Sequence, residues 1–483
     1  MNQEHQHGIH CRQRVVIIGG GASGVLMAAH LLRQPSKEVE VTIIERSRLL
    51  GCGIAYNTAD PGHLLNTRAS QMSAFPDDPS HFERWLESES IPVTGTSFVD
   101  RGTYGRYLAS LLRSPHAGEN IRRLHCVHGE CMRLIETEHG VIAELDDGRT
   151  IHADRAVLAT GHAVPAEPLP PLRGAWDFEL PHDADAVVAI IGTGLSMVDH
   201  MTTLLGAGHR GPIYCLSRRG LFPQTHETTH PLVLEAQGIP FGASVSRTMY
   251  WLRSLVRLAE AQGGTWRDAI DGVRPHVAEI WGAWPLAEKA RFLRHAASWW
   301  EVHRHRMPPV SAGRISRAAA SGQLRVLRGS FESAEERADG RIMLNIVPRK
   351  SGIPEHLIAD HVIDCRGIRR NPAEHAAPVI RDLLTRGAAR LDPLGLGLDT
   401  TLSAQLIDVS GKVSQRISAI GPAARGALWE ITAIPDIRAQ THALARGFLK
   451  HARILARQRG LKFSEKSRRE GISPLRARIF GIE

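Results

Sequence analysis

Val15-Val16-Ile17-Ile18-Gly19-Gly20-Gly21-Ala22-Ser23-Gly24 is the stretch that decides the fold. Four β-branched residues in a row read as a strand buried on both faces of a parallel sheet. The six residues after them spell G-x-G-x-x-G, and a helical pattern runs on through Leu26, Ala29 and Leu32 with no breaker before Pro35. A second apolar strand, Val39 to Ile44, ends in Glu45. Each part has a task in binding a dinucleotide. Gly19 permits the tight turn, Gly21 lets the backbone approach a pyrophosphate, and Gly24 lets helix and strand pack closely. The helix start, with Ala22 and Ser23, offers free N–H groups and a positive dipole end to phosphates. Glu45 lies at the distance where an acid accepts the ribose hydroxyls and repels a 2′-phosphate, so this site suits FAD or NAD rather than NADP.

The pattern recurs. Ala186 to Ile191 form another apolar strand, followed by Gly192-Thr193-Gly194-Leu195-Ser196-Met197 and a helix through Asp199 and Leu204. Met197 replaces the third glycine and should push the helix off the strand. The next strand, Ile213 to Ser217, ends in Arg218-Arg219 where the first site has Glu45. Arginine at that strand end accommodates a 2′-phosphate, so the second site favours NADPH. A structural turn beside surface arginines is the plainer alternative. Ile151 to Gly161, which contains Thr160, is echoed by Leu357 to Gly367, each a strand ending in glycine after a meander with a turn (Asp146-Asp147-Gly148 and Ala338-Asp339-Gly340). Two nucleotide-binding halves of one fold account for the echo.

Between the halves the pattern turns helical. Trp266, Ile270, Val273, Val277, Ile280 and Trp284 recur at three- and four-residue steps, with Pro275 set to kink or divide the stripe. Most tryptophans of this stretch read as the core of a small helical subdomain. Its end, Trp299-Trp300-Glu301-Val302-His303-Arg304-His305-Arg306, gathers cations and aromatics. Arg304 and Arg306 are candidates to hold a substrate carboxylate or the nicotinamide phosphate, with solvated helix charge as the alternative. Ile417 to Ile420 then lead into Gly421-Pro422 and a helix starting near Pro435 that carries Arg438 and Gln440. The expected architecture is α/β: two Rossmann-like dinucleotide-binding domains, a non-contiguous FAD domain plus an NADP domain, with a helical insertion. Boundaries fall at 12–180 (FAD domain, first part), 183–221 and 309–350 (NADP domain), 222–308 (insertion, lid or substrate region), 351–460 (FAD domain, second part) and 461–483 (basic tail).

Composition excludes several classes. The 483 residues are 42% hydrophobic and 23% charged, too long for one core and ordinary for a globular chain. No apolar run approaches membrane-spanning length, and residues 1–14 are polar and His-rich with no signal-peptide core, so a cytoplasmic location and no membrane partner are expected. The six cysteines are scattered, and the C-x4-C pair Cys126/Cys131 lies far from the first glycine turn, where flavin disulfide reductases carry theirs; two structural cysteines are expected. A net charge of +9 spread over scattered arginines, with no nucleic-acid-binding signature, fits anionic cofactors and a basic tail better than nucleic acid. No metal-ligand spacing or Ser-His-Asp arrangement competes for a catalytic role.

Several further stretches resemble those of a known group: Gly51-Cys52-Gly53-Ile54-Ala55-Tyr56, His63-Leu64-Leu65-Asn66 through Met72-Ser73-Ala74, Phe82-Glu83-Arg84-Trp85, Arg101-Gly102-Thr103-Tyr104-Gly105-Arg106-Tyr107, Ala159-Thr160-Gly161, Ser217 to Leu221, Trp300 to Arg306 and Ala419 to Gln440. The chain, nearly all of it after Arg12, resembles the bacterial FAD/NAD(P)-binding proteins that include aspartate N-monooxygenases, within the two-dinucleotide flavoprotein monooxygenases. The F-x-G-x-x-x-H fingerprint of other flavin monooxygenases is absent. The resemblance implies FAD at the first turn, with Arg46, Arg101, Thr160, Gly161, Gly421 and Pro422 near it, and NADPH at the second. It implies that His63 and Asn66 lie at the flavin edge as candidate catalytic groups, with a satisfied loop residue as the alternative for either. The expected activity is oxygenation of a nucleophilic nitrogen or sulfur on a small molecule, with dioxygen as co-substrate and the oligomeric state open. A reductase without oxygen insertion and a non-catalytic redox sensor are the rivals. The purified protein is expected to be yellow, and Gly21→Val colourless, because a side chain at Gly21 occupies the space where backbone meets pyrophosphate. Unchanged FAD affinity in the variant would misplace the site.

Overall fold

The structure, a computed structural model, describes residues 12–33, 38–113, 123–163, 170–366 and 372–469, with side chains to residue 454. Residues 1–11 of the His-rich lead-in, Gly367 at the end of the echo and residues 470–483 of the basic tail lie outside the described residues. β1 (Gln13–Ile18) enters the first glycine turn, the helix Ala22–Arg33 follows, and β2 (Val39–Glu45) pairs parallel to β1 with Ile17 opposite Ile43. β3 (Leu124–His128) lies parallel beyond β2. β4 (Cys131–Glu136), β5 (Val141–Leu145) and β6 (Thr150–Ala153) make a separate antiparallel sheet, and β7 (Arg155–Leu158) returns parallel to β1. Val15, Val16, Ile17 and Ile18 are all buried, the mark of a strand with both faces covered.

The second half repeats this plan. β8 (Arg173–Gly174), β9 (Val188–Ile191), β10 (Ile213–Ser217), β11 (Leu324–Glu336), β12 (Ile342–Pro348), β13 (Glu355–Ala359) and β14 (His361–Asp364) form a sheet in the order β13-β12-β11-β10-β9-β14-β8. β9, β10 and β14 stand as β1, β2 and β7 do, so the sequence echo is β6–β7 against β13–β14. One difference separates the halves. β11 pairs parallel with β10 up to Arg328 and antiparallel with β12 from Gly329, so it serves as both third strand and first meander strand. The first half breaks that strand at Gly129-Glu130.

Sheet membership corrects two expected boundaries. β13 and β14 belong to the second sheet, so residues 351–364 are not part of a resumed FAD domain, and β8 takes residues 173–174 from the first part. The physical reason is the meander: its return strand must pair with the strand it came from. The first sheet resumes with β15 (Gln405–Ile407) and β16 (Val413–Ala419), the latter parallel to β7. The helix Ile434–Arg469 then packs on Ala22–Arg33, with Phe448 and Leu449 in one core with Met27 and Leu31.

The insertion is helical: Val245–Ala261, Trp266–Val273, Val277–Ala283, Leu286–His295 and Ala297–Arg304. Pro275 divides the amphipathic stripe, as expected, through a one-turn 3-10 helix at Arg274–His276. Trp281, Trp284 and Phe292 share a core with Trp429, which comes from the segment after β16. Cys126 is exposed and Cys131 buried, both free. Among the described residues no helix is long and apolar enough to cross a membrane.

Met197 is fully buried among Ile190, Met201 and Cys365, at the position where Gly24 sits in the first half. A Cβ on Gly24 would overlap the Gly19 carbonyl oxygen. Gly24→Ala is therefore expected to destabilise by more than about 3 kcal/mol, and Met197→Ala by about 2–5 kcal/mol through the cavity it leaves. Chemical denaturation of both variants measures this; a stable Gly24→Ala would refute the packing role.

Candidate functional site

The ends of β16, β7 and β1 lie side by side in the first sheet, and the site grows from their loops. Gly19 has a φ of 105°, and a Cβ on it would overlap the Ala159 carbonyl. Gly21 differs: a Cβ there would meet only the Gly53 backbone, at 3.5 Å. Gly19 and Gly24 thus serve packing, while Gly21 faces a space that a phosphate can enter. The amides at Ala22, Ser23 and Gly24 start the helix and have no intrahelical partner by geometry. Glu45, at the end of β2, accepts the Gly20 N–H at 2.5 Å and the Ser47 N–H at 2.8 Å, which fixes its carboxylate beside the turn. Gly161, after Thr160, has a φ of 72° and open space where a Cβ would be. Gly421, before Pro422, has a φ of 61° and lies so close to Ser23 that a Cβ would overlap its hydroxyl. This crevice at the carboxyl ends of parallel strands fits a dinucleotide pyrophosphate. Arg46 turns outward, 3.5 Å from Glu130.

The second turn reproduces the first. Gly192 has a φ of 114°, a Cβ on it would overlap the Cys365 carbonyl, and Gly194 faces open space. Ser196 lies in the first turn of the helix Leu195–Gly206. Thr193 ties the turn to the end of β10 through Ser217 Oγ at 3.0 Å and the Leu221 carbonyl at 2.6 Å. The two arginines there separate. Arg218 is exposed with no hydrogen bond or ion pair among the described residues. Arg219 donates to the carbonyls of Arg294 and His295, both at 2.9 Å, capping the C-terminus of the helix Leu286–His295.

His63 and Arg101 are both held at one joint. His63 is 1% exposed, with Nδ1 on Thr58 and Nε2 on Thr203, each at 2.8 Å. Arg101 pairs with Asp199 at 3.0 Å. Thr203 and Asp199 belong to the helix Leu195–Gly206, so both groups close the joint between the two nucleotide-binding halves. Burial pushes Asp199 up to about 6 even against the neighbouring Arg101, and burial lowers His63. Each side chain is committed to a partner across the joint.

Asn66 does line a cavity, one of about 830 Å³. Its walls come from the loop at Asn66–Gln71, the insertion and the helix that starts at Ile434. Arg304 and Arg306 both line it and are 7% and 2% exposed, so neither is a solvated surface charge. Arg306 is fully engaged, bidentate on Asp271 at 2.8 and 3.0 Å with Nε on the His303 carbonyl. Arg304 donates from Nε to Glu430 at 3.1 Å, and Glu430 also accepts from Trp300 Nε1. Burial opposes a charge on Glu430, yet Arg304, His305, the Trp300 bond and Arg274 outweigh it and hold its carboxyl below the usual range. Asp436 lies 3.7 Å from Arg274; burial raises its carboxyl against the pull of Arg274 and Arg304. Three buried polar atoms around this one cavity have no hydrogen-bond partner: Arg304 Nη2 and Asp436 Oδ2, which face each other as an ion pair at 3.9 Å, and Gln440 Nε2. The other end of Gln440 accepts the Gly421 N–H at 2.8 Å, which joins the cavity to the dinucleotide crevice. Asp271, Glu430 and Asp436 were not legible as site residues, since nothing in the order of residues pairs them with the arginines.

A family model described as FAD-NAD(P)-binding matches residues 16–163. No curated protein sequence matches significantly. Among solved structures, the ornithine N-hydroxylase of Kutzneria sp. 744 aligns over 91% of this chain and 99% of its own at 13% identity, TM-score 0.58. The L-lysine 6-monooxygenase of Pseudomonas syringae aligns over 91% and 99% at 14% identity, TM-score 0.60. The bacillithiol disulfide reductase of Staphylococcus aureus does so over 91% and 99% at 13% identity, TM-score 0.52. The fold is therefore that of two-dinucleotide flavoproteins. Arg218→Ala is expected to weaken NADP+ binding at least tenfold, on the order of 1.5–3 kcal/mol for a charge-assisted contact, and to leave NAD+ unchanged. Calorimetric titration of both nucleotides checks it; equal losses for both would remove Arg218 from the 2′-phosphate.

Proposed function

We propose that the chain is an FAD-dependent, NADPH-reduced monooxygenase that hydroxylates a nucleophilic nitrogen of a small molecule carrying a carboxylate. The observation that carries the substrate site is the set of three orphaned atoms. Buried polar groups are almost always satisfied, and leaving one unpaired costs about 1–3 kcal/mol. Arg304 Nη2 and Gln440 Nε2 call for acceptors, and Asp436 Oδ2 calls for a donor. A carboxylate and an amine on one molecule supply both. The neighbouring folds that act on amines favour nitrogen over sulfur as the site of oxygenation.

The first-turn amides hold the FAD pyrophosphate, and Glu45 receives the ribose. Thr160, Gly161, Gly421 and Pro422 form the wall along which the rest of the cofactor lies. Arg218 receives the 2′-phosphate of NADPH at the second turn. The flavin, when bound, supplies the two-electron chemistry that links NADPH to dioxygen. The chain itself must hold the substrate, exclude water and manage one proton. Arg304 anchors the carboxylate. Asp436, its carboxyl raised by burial, is placed to take the proton that an ammonium must lose before its nitrogen becomes a nucleophile. Glu430 and Trp300 keep Arg304 in place.

Arg304→Ala is expected to raise KM at least tenfold and to release peroxide, an anchoring loss on the order of 2–3 kcal/mol. Arg306→Ala should act on folding instead, costing about 1–3 kcal/mol because half-buried Asp271 loses both of its bonds to the guanidinium. Oxygen uptake with peroxide detection, on NADPH addition with and without carboxylate-bearing amines, tests the reading. Uptake that no amine stimulates, alongside fast reduction of an artificial acceptor, would make the chain a reductase. Negligible turnover of either kind would make it a sensor.

A further inference from the structure

A second hollow of about 50 Å³ lies inside the insertion and is lined by Trp251, Trp281, Trp284, Phe292, Trp300 and Trp429. Five of the nine tryptophans in the chain thus wall one small space. Its polar groups point away from it. Trp281 Nε1 donates to the Gly426 carbonyl at 3.0 Å, Trp284 Nε1 to the Ala243 carbonyl at 2.8 Å, and Trp300 Nε1 to Glu430. Thr248, also in the wall, gives its hydroxyl to the Ser244 carbonyl at 3.1 Å. These bonds fix the rings and leave ring faces and edges toward the space. Protein interiors contain few voids larger than a water, and a void with no polar partner does not hold water.

The hollow also adjoins the polar cavity. Val277 lines both, and Trp300, in the wall of one, is bonded to Glu430 in the wall of the other. Glu430 in turn holds Arg304. A ligand whose carboxylate rests on Arg304 therefore has, beside that contact, an apolar recess for another part of the same molecule.

We infer that the Trp-lined hollow is a specificity pocket taking the apolar arm of the substrate, so that the amine acted on carries a branched alkyl or aryl group. This rests on the cavity being the substrate site of the proposed monooxygenase. Apolar burial improves affinity about fourfold per methylene until the space is filled. The polar end gives attachment, and the hollow gives choice among amino acids.

The test uses the FAD-loaded protein without NADPH and reads tryptophan fluorescence while L-alanine, L-valine, L-leucine and L-phenylalanine are titrated. The expected result is quenching that saturates, with affinity rising at least tenfold from alanine to leucine or phenylalanine. Val273→Phe, which fills the hollow from a wall that the polar cavity does not share, should flatten the series and leave alanine binding unchanged. Should Val273→Phe not fold, Met249→Phe fills the same hollow from the helix Val245–Ala261. Equal affinities across the series in the wild type, or a gradient that survives filling, would overturn the inference. Oxygen uptake with the same amino acids separates the two readings. A gradient without stimulated uptake leaves the pocket standing and fails the monooxygenase; stimulated uptake with a flat series does the reverse.

Discussion

Everything in this molecule is hung on a backbone contact too close for a side chain. Helix Ala22–Arg33 lies against the Gly19 carbonyl with no room for a Cβ at Gly24, and Gly19 itself lies against Ala159 in the same way. Together these bring the ends of β1 and β7 together and aim the free amides of the helix start at one spot. The second half keeps half of this constraint. Gly192 presses on Cys365 as Gly19 presses on Ala159, but Met197 replaces the third glycine and fills the core instead. One fold therefore carries two turns that hold their helices differently, a tight one at an acid-ended strand and a looser one at an arginine-ended strand.

The insertion is tied to this frame by charge as well as by apolar packing. Arg304 and Trp300 reach Glu430, in the segment between β16 and the last helix, and Arg274 reaches Asp436, in the first turn of that helix. Burying that many charges is costly unless they are paired, so the cluster holds the insertion in one place relative to the crevice. The pairing is incomplete at three atoms, and all three face the same cavity. Among the described residues four other buried side-chain atoms also lack a partner, on His30, Glu38, His209 and Thr400, but only at this cavity do three gather. The Gln440 side chain, bonded at one end to Gly421 and unpaired at the other, is where the cofactor crevice and the cavity meet.

A different network joins the two halves directly. His63, Asp60 and Arg101 from the first half meet Thr203 and Asp199 on the first helix of the second. A polar residue chosen from sequence because it resembles a flavin-contacting one can serve the joint equally well, since both places want a fixed hydrogen-bonding group. His63 and Arg101 do so, whereas Asn66, three residues from His63, lines the cavity. The distinction turns on where a loop carries each side chain, and adjacent positions in a loop point in different directions.

What the residues by themselves determined is whatever depends on short-range order. The strand-turn-helix units at Gly19 and Gly192, the acid and the arginines at the following strand ends, the repeated meander and the helical period of the insertion are all local patterns with a physical cause inside a few tens of residues. Arg304 and Arg306 were legible as a cation cluster, but not which acid each would pair with. That needed Asp271 and Glu430, which lie 35 and 126 residues away along the chain and close both pairs only in the folded state. The tertiary structure alone decided that Arg219 caps a helix while Arg218 stays open, that β13 and β14 belong to the second sheet, and that five distant tryptophans wall one hollow. Local propensity sets which element a residue joins. Which partner saturates its polar atoms is settled by long-range packing.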